Sequence, residues 1–449
     1  MHIILLSGGS GKRLWPLSND TRSKQFIKIF RRPEGSPPLG KDEDTGYESM
    51  VQRVYRQIRS VDPDATVMIA TAKSQVSSIH NQLGDGVSVS VEPCRRDTFP
   101  AIAIATAYLH DVIKVPADEA VVVCPVDPYV EDSYFQCLQE MCRKAEKQDG
   151  LVLMGIQPTY PSEKYGYILA REDSEGHSFF EFKEKPDAET AKKYIEEGCL
   201  WNGGVFAYKL SYVLEKSREL MGTNSYYQLY GNYSKLKKIS FDYAVVENEK
   251  KLSIVKYNGE WKDLGTWNTL TEAMEGSYVG DVRMNDKCEN VHAINEMSVP
   301  MLVMGCKNIV VSASPEGILV SDMDQSSYIK PYVDDIKQQI RFAEKSWGRY
   351  LVLDVEKKSM TVKVILNPGH KMNYHSHERR DEIWTVISGS GHTIVDGMEQ
   401  PVKPGDVVTM AAGCKHTVIA GDKGLQMIEV QLGSDISVSD KKKYEFPYK

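Results

Sequence analysis

Short apolar runs alternate with stretches of helical period over roughly the first 275 residues. Runs at 3–6, 66–70, 87–91, 120–124 and 151–154 predict strands, and 48–61, 73–83, 98–113 and 134–146 predict the helices between them. Thr98 fits a helix N-cap, followed by an apolar face that includes Ile102, Ile104, Ala105 and Leu109. This alternation predicts an α/β fold with a mostly parallel sheet covered on both faces. Such sheets bind ligands beyond the carboxyl ends of their strands. The opening Met1-His2-Ile3-Ile4-Leu5-Leu6 runs into glycines and reads as a buried first strand rather than a signal peptide. The Pro-, Gly- and acid-rich stretch 31–47 reads as a long loop, either a mobile lid or a surface insertion.

From about residue 280 the pattern changes. Apolar pieces at 299–304, 308–312 and 317–321 lie between turns and predict a small β-roll or β-helix-like segment. Residues 333–343 predict a connecting helix. Beyond residue 346, strands are expected at 350–354, 360–366, 382–388, 392–395, 407–410 and 426–431, separated by turns such as Asn367-Pro368-Gly369 and Lys403-Pro404-Gly405-Asp406. They predict an all-β barrel of roughly 100 residues. The expected divisions are 1–278, 279–332, a linker helix over 333–345, and 346–449.

Composition narrows the function classes. A chain of 449 residues is too long for one core, and 41% hydrophobic with 26% charged residues is ordinary for a globular protein. A net charge of −7 argues against general nucleic-acid binding, which needs a basic surface. No stretch approaches the ~20 apolar residues of a membrane span. The eight cysteines show no CxxC spacing and predict reduced thiols in a cytoplasmic protein.

The first candidate chemistry follows the first strand. Leu6 closes the strand and Ser7-Gly8-Gly9-Ser10-Gly11-Lys12-Arg13 comes next. Glycines let backbone amides close on phosphoryl oxygens, and Lys12 and Arg13 add positive charge there. The spacing excludes a P-loop, because Lys12 is followed by Arg13, and a dinucleotide fingerprint, because position 14 is Leu. A tight turn without a ligand is the alternative.

The continuation Arg13-Leu14-Trp15-Pro16-Leu17-Ser18 and Ser23-Lys24-Gln25-Phe26 resembles the signature of mannose-1-phosphate guanylyltransferases. Glu92-Pro93-Cys94-Arg95-Arg96-Asp97-Thr98, Phe182-Lys183-Glu184-Lys185-Pro186, Trp201-Asn202-Gly203-Gly204, Phe241-Asp242-Tyr243-Ala244 and Trp261-Lys262-Asp263-Leu264-Gly265 follow in the family's order. The resemblance covers nearly the whole chain. It is strongest to the long bacterial type, which ends in a type II phosphomannose isomerase-like cupin. It implies a Rossmann-like nucleotidyltransferase domain with a mixed, mostly parallel sheet, acting on GTP and mannose 1-phosphate.

In that reaction a sugar phosphate oxygen attacks the α-phosphorus in line and pyrophosphate leaves, so catalysis is mainly positioning and charge neutralisation. By resemblance, Asp127 and Asp263 hold Mg²⁺. Arg13 and Lys24 hold the triphosphate, with Leu6, Gly8, Gly9, Ser10, Gly11, Lys12 and Arg96 around the nucleotide. Lys185 meets the sugar phosphate, Glu184 reads sugar hydroxyls, and Gly166 and Asn202 line the sugar pocket. The plainer readings are a turn aspartate at 127, a helix cap at 263 and a solvated Lys24. The chain departs from the family's Asp-His at Asp127-Pro128 and carries Lys183 where an apolar residue is common. Asp97 replaces the usual Asn. A carboxylate there accepts from both N1–H and N2–H₂ of guanine, or else caps the helix that follows.

The C-terminal part carries Gly369-(five residues)-His375-Ser376-His377-(four residues)-Glu382-(six residues)-Gly389, with Gly405 and Gly413 ahead of His416. Two histidines two apart on one strand point to one side. With Glu382 and His416 they make a three-His, one-carboxylate site suited to Zn, Fe, Mn or Ni. In the resembling family this domain interconverts mannose 6-phosphate and fructose 6-phosphate. Here His375 stands where that family tends to have Gln, Ile383 where it tends to have His, and Ala411 where Pro is expected. Two further readings stay open: another sugar or base, or a non-catalytic nucleotide-sugar-binding protein. The segment near 280–330 is a candidate surface for homo-oligomer contacts.

Overall fold

A computed structural model describes residues 1–9, 11–19, 21–41, 45–172, 178–336 and 340–446. The N-terminal part is built on a nine-stranded mixed sheet. Its main path runs Ser178–Lys183, Gly166–Glu172, Leu200–Lys209, Ala120–Pro125, His2–Ser7, Thr66–Ala72, Ser88–Glu92. Strands Leu151–Ile156 and Leu252–Tyr257 pair in parallel off that path. His2–Ser7 lies parallel to both neighbours, so their carboxyl ends share one edge of the sheet. The antiparallel share comes from Gly166–Glu172, Ser178–Lys183 and Leu200–Lys209, which local periodicity did not single out.

Alternation within the continuous apolar runs explains the two-sided cover. Ile3, Leu5, Val67, Ile69, Val122 and Cys124 pack with helices Met50–Val61 and Asp132–Glu146. Ile4, Met68, Val121 and Val123 face the other way, toward helices Thr98–Tyr108 and Leu210–Met221. Each fully buried side chain of this kind contributes about 1.5–3 kcal/mol. Thr98–Tyr108 is buried all round from Phe99 to Ala107, rather than along one face, because a second layer covers it. Its N-cap is Asp97, not Thr98. The Thr98 hydroxyl instead accepts from the Phe241 amide at 2.8 Å.

The next segment stacks Tyr278–Val279, Glu289–Asn295 and Lys307–Ser314 in parallel, with a second parallel pair, Val282–Met284 and Met301–Val303. Val282, Val291, Ala293 and Val303 fill its small core, which makes it β-helix-like. The expected helix over 333–345 is corrected. The helix is Lys330–Asp335, Phe342–Lys345 is a strand of the last sheet, and 337–339 lie outside the described residues. Phe342–Lys345 pairs with Gly348–Val355, and that ladder overrides local helical preference.

The last sheet also has nine strands. The pieces expected at 382–388 and 392–395 form one bent strand, Arg380–Val395, with register shifts on both sides of Gly389. His416–Gly433 likewise runs unbroken beside it. Val352, Val364, Trp384, Val418 and Met427 belong to the barrel's own core. All eight cysteines are free thiols, and among the described residues no helix is long and apolar enough to cross a membrane.

Candidate active site and metal centre

The strand edge bearing Ser7 and Pro125 carries the first site. Gly11, at φ 62°, turns the chain into the short helix Lys12–Leu14. A Cβ there would lie 2.9 Å from the Lys24 backbone nitrogen, so only glycine permits this approach. Side chains brace the loop from behind. Ser23 Oγ donates to the Gly9 carbonyl at 2.9 Å, Gln75 Nε2 to Ser23 Oγ at 2.6 Å, and Gln25 Nε2 to Ser7 Oγ at 3.0 Å. Gly8 is exposed, Leu6 is half-buried, Arg13 is exposed on the short helix, and Ser10 lies outside the described residues.

Lys24 reaches from this brace to the other edge of the cleft. Its ammonium lies 2.8 Å from Asp127 and 3.2 Å from Asp263. The carboxylates meet because Trp261–Asp263 pairs antiparallel with Pro128–Val130, setting Asp263 opposite Pro128. Burial works against the Lys24 charge, but Asp127 and Asp263 outweigh it and hold its pKa above the ordinary value. Two carboxylates already sharing one cation suit a divalent ion with oxygen ligands.

A cleft of about 220 Å³ opens beside Asp127 and Asp263. Gly166, Glu184, Asn202 and Asp242 line it. A Cβ at Gly166 would meet the Phe182 ring and the Glu184 carboxylate, so glycine lets both pack against the backbone there. Lys185, at φ 45°, pairs with Glu184. Asn202 Nδ2 donates to Asp242 Oδ1 at 2.7 Å. Burial, followed by the nearby Glu184, pushes the Asp242 carboxyl up to about 7.

Three expected nucleotide contacts are otherwise engaged. Lys12 lies 3.0 Å from Asp334. Arg96 donates to the backbone carbonyls of Tyr233, at 3.4 Å, and Ser234. Asp97 Oδ1 accepts from the Thr98 amide at 2.9 Å, the capping role. It is Arg95 that approaches the glycine loop, donating to the Gly9 carbonyl at 3.4 Å. Neither Arg95 nor Asp242 was among the expected site residues. Their one signal was membership of the motifs Cys94-Arg95-Arg96 and Phe241-Asp242-Tyr243.

The second site lies in the barrel. His375, His377, Glu382 and His416 are each at most 3% exposed, and their ligand atoms all lie within 4.8 Å of one another. His377 Nε2 and His416 Nε2 stand 3.0 and 3.1 Å from the two Glu382 oxygens. The outer ring nitrogens face carbonyls: His375 Nδ1 that of Asn373 at 2.6 Å, His377 that of Asp440 at 3.1 Å, and His416 that of Cys414 at 3.1 Å. With a proton on each Nδ1, every Nε2 keeps a lone pair, as a metal requires, and that of His377 faces Arg380 Nη2 at 3.1 Å. Glu382 Oε2 and His416 Nε2 are buried without a well-formed hydrogen bond, which fits a pair of metal ligands.

Burial, with Lys441 next, pushes the His375 pKa down to about 2, so this ligand stays neutral. Burial opposes the Glu382 charge, but His377 and His416 overcome it and hold its carboxyl well below the usual range. Burial and then Glu382 push Glu429 up to about 8. Arg380 Nε lies 3.3 Å from Glu382.

An edge with cations, paired acids and a polar cleft in the α/β part, followed by a barrel with a buried three-histidine, one-glutamate cluster, defines a two-part architecture. The nucleotidyl transferase family model matches residues 2–278, and a cupin domain model matches residues 362–431. The chain belongs to the nucleotidyl transferase family and carries a cupin domain behind it. It is 28% identical to the xanthan biosynthesis protein XanB of Xanthomonas campestris pv. campestris (strain B100), over 99% of this chain and 98% of that protein. It is 26% identical to a mannose-1-phosphate guanylyltransferase of Escherichia coli (strain K12), over 98% and 97% of the two chains. The crystal structure of a protein described as mannose-1-phosphate geranyltransferase, from Thermus thermophilus, superposes with a TM-score of 0.60 at 25% identity, covering 74% of this chain and 98% of that one.

Proposed function

We propose that the chain transfers a guanylyl group from GTP to mannose 1-phosphate, releasing pyrophosphate and GDP-mannose. The convergence of Lys24, Asp127 and Asp263 beside the polar cleft is the observation that carries this reading. Similarity over nearly full length to proteins of that name supports the choice of substrates.

A phosphate oxygen of mannose 1-phosphate forms the new bond to the α-phosphorus, and the bond to the β-phosphate oxygen breaks. Gly8, Gly9 and Gly11 offer backbone donors to the triphosphate, Ser10 is assigned to the same nucleotide contact from its place in the motif, and Leu6 borders the nucleotide. Arg13, Lys24 and Lys12 neutralise its charge, Lys12 after leaving Asp334. Arg96 and Asp97 frame the base, and Asp97 Oδ2 accepts from guanine while Oδ1 keeps the helix cap. Lys185 neutralises the phosphate of the sugar. Glu184, Asn202 and Asp242 exchange hydrogen bonds with its hydroxyls above Gly166. Asp127 and Asp263 would hold Mg²⁺, which would neutralise phosphate charge when bound. The cytoplasm is the compartment expected for eight free thiols.

Pyrophosphate release from GTP, Mg²⁺ and mannose 1-phosphate tests the reading. No release with any triphosphate and sugar 1-phosphate pair would favour a nucleotide-sugar-binding protein.

A second reading concerns the cupin, where the buried three-histidine, one-glutamate centre favours metal-assisted isomerisation of mannose 6-phosphate and fructose 6-phosphate. Zn, Fe, Mn or Ni would be held by His375, His377, Glu382 and His416. Conversion of fructose 6-phosphate by the metal-loaded protein tests it, and absence of conversion with all four metals rejects it.

A further inference from the structure

The loop between the two halves of the N-terminal signature is held from outside its own domain. Arg22 donates from Nη1 and Nη2 to the two oxygens of Glu296 at 2.7 and 2.9 Å, a two-point pair. The side chains are only 16% and 23% exposed. Glu296 follows the β-helix-like strand Glu289–Asn295 and is itself pinned. Its amide donates to the Ala313 carbonyl at 2.9 Å, and Asn295 Nδ2 ties the turn to the Val299 carbonyl at 2.7 Å. The Arg22 guanidinium also lies 5.4 Å from the centre of the Phe342 ring. Phe342 opens the first strand of the last sheet, and its amide donates to Glu316 at 3.0 Å. Three parts of the chain therefore meet at one arginine.

On the other side, Arg22 is continuous with the phosphate loop. Asn19 Oδ1 accepts from the Arg22 amide at 2.7 Å, and the Asn19 amide donates back to the Arg22 carbonyl at 2.9 Å. Ser23 holds Gly9, and Lys24 spans Asp127 and Asp263. No side chain between Arg22 and Lys24 is free to absorb a shift, because Ser23 is fully buried and doubly bonded.

We propose that Arg22 is a positioning residue for nucleotidyl transfer, its pair with Glu296 setting the loop that aims Lys24 and Gly9 at the reacting phosphates. This rests on the role given to Lys24 above. It assigns the β-helix-like segment a part in catalysis without contact to substrate. A bidentate guanidinium–carboxylate pair supplies the directional restraint that a lysine at the same place lacks.

The test uses the full chain as wild type, Arg22→Gln, Arg22→Lys, Glu296→Gln and the Arg22→Gln/Glu296→Gln double variant, with Lys24→Met as reference. Pyrophosphate release is assayed at a temperature where circular dichroism shows each variant folded. The expected result is a fall in kcat of about tenfold or more for each single variant, since small misplacements near reacting groups are costly. Arg22→Lys falls with Arg22→Gln, the KM for mannose 1-phosphate stays put, and the double variant is no worse than either single, because all break one contact. A purely structural role would lower Tm and leave kcat of the folded protein unchanged. Folded Arg22→Lys and Glu296→Gln with kcat within about twofold of wild type, beside an inactive Lys24→Met, overturn the inference and leave the proposed function standing. A fully active Lys24→Met overturns the role of Lys24 and the inference with it. Should Arg22→Gln fail to fold, Arg22→Lys and Glu296→Gln carry the same comparison.

Discussion

The two sites are prepared in opposite ways. The cupin centre is buried, its four ligands come from neighbouring strands of one sheet, and backbone carbonyls face the outer nitrogens of all three histidines. A metal there would displace Arg380, which lies 3.1 Å from His377 Nε2 and 3.3 Å from Glu382. The nucleotidyl transfer edge is half-open, and its charges neutralise one another: Lys24 with Asp127 and Asp263, Lys185 with Glu184, Lys12 with Asp334. On the proposed function, those pairs exchange partners when phosphates arrive. On that same proposal, a site for a small cation is built into a β-barrel, whereas a site for large, changing anions is built from loops whose ion pairs exchange.

Removing a carboxylate from each site is the strongest way to break this contrast. Asp263→Asn should lower pyrophosphate release by about 10²–10³-fold, the scale of a lost charge-stabilising group at a reacting centre, while metal content of the barrel is unchanged. Glu382→Gln should weaken metal retention in the barrel by at least about 10–100-fold, as measured by metal analysis after dialysis, without altering guanylyl transfer. Equal damage to both activities from either variant would argue against separate sites.

Asp242 sharpens the comparison through pH. Its carboxyl is raised from 3.8 to about 7, so the folded state holds a proton that the unfolded chain has lost. That contribution to stability is fully present below pH 3.8 and is lost as pH rises through about 7. Thermal melts should show wild type losing Tm relative to Asp242→Asn between pH 4 and 8, and the KM for the sugar phosphate should lose its dependence on pH near 7 in the variant. Parallel profiles would exclude this group. The smallest effect is expected at Asp97. Removing the cap in Asp97→Ala should cost about 1 kcal/mol of stability. Unchanged preference for GTP over ATP, CTP and UTP in that variant would sink the guanine reading.

Local sequence specified the parts whose physics is local. Alternating apolar runs marked the parallel strands, because both faces of such a strand are buried. Glycines after the first strand marked the loop proposed to hold phosphates, and His375-Ser376-His377 marked two side chains of the proposed metal centre. Strand pairing across the whole chain settled the rest. Phe342–Lys345 became a strand because a partner was available. Asp127 met Asp263, 136 positions later in the numbering, through one short antiparallel ladder. Arg95 rather than its neighbour turned toward Gly9, and Arg22 found Glu296 across 274 positions. A side chain's type and spacing limit what it can bind. Which charge it meets depends on long loops closing in three dimensions, and no local pattern records that.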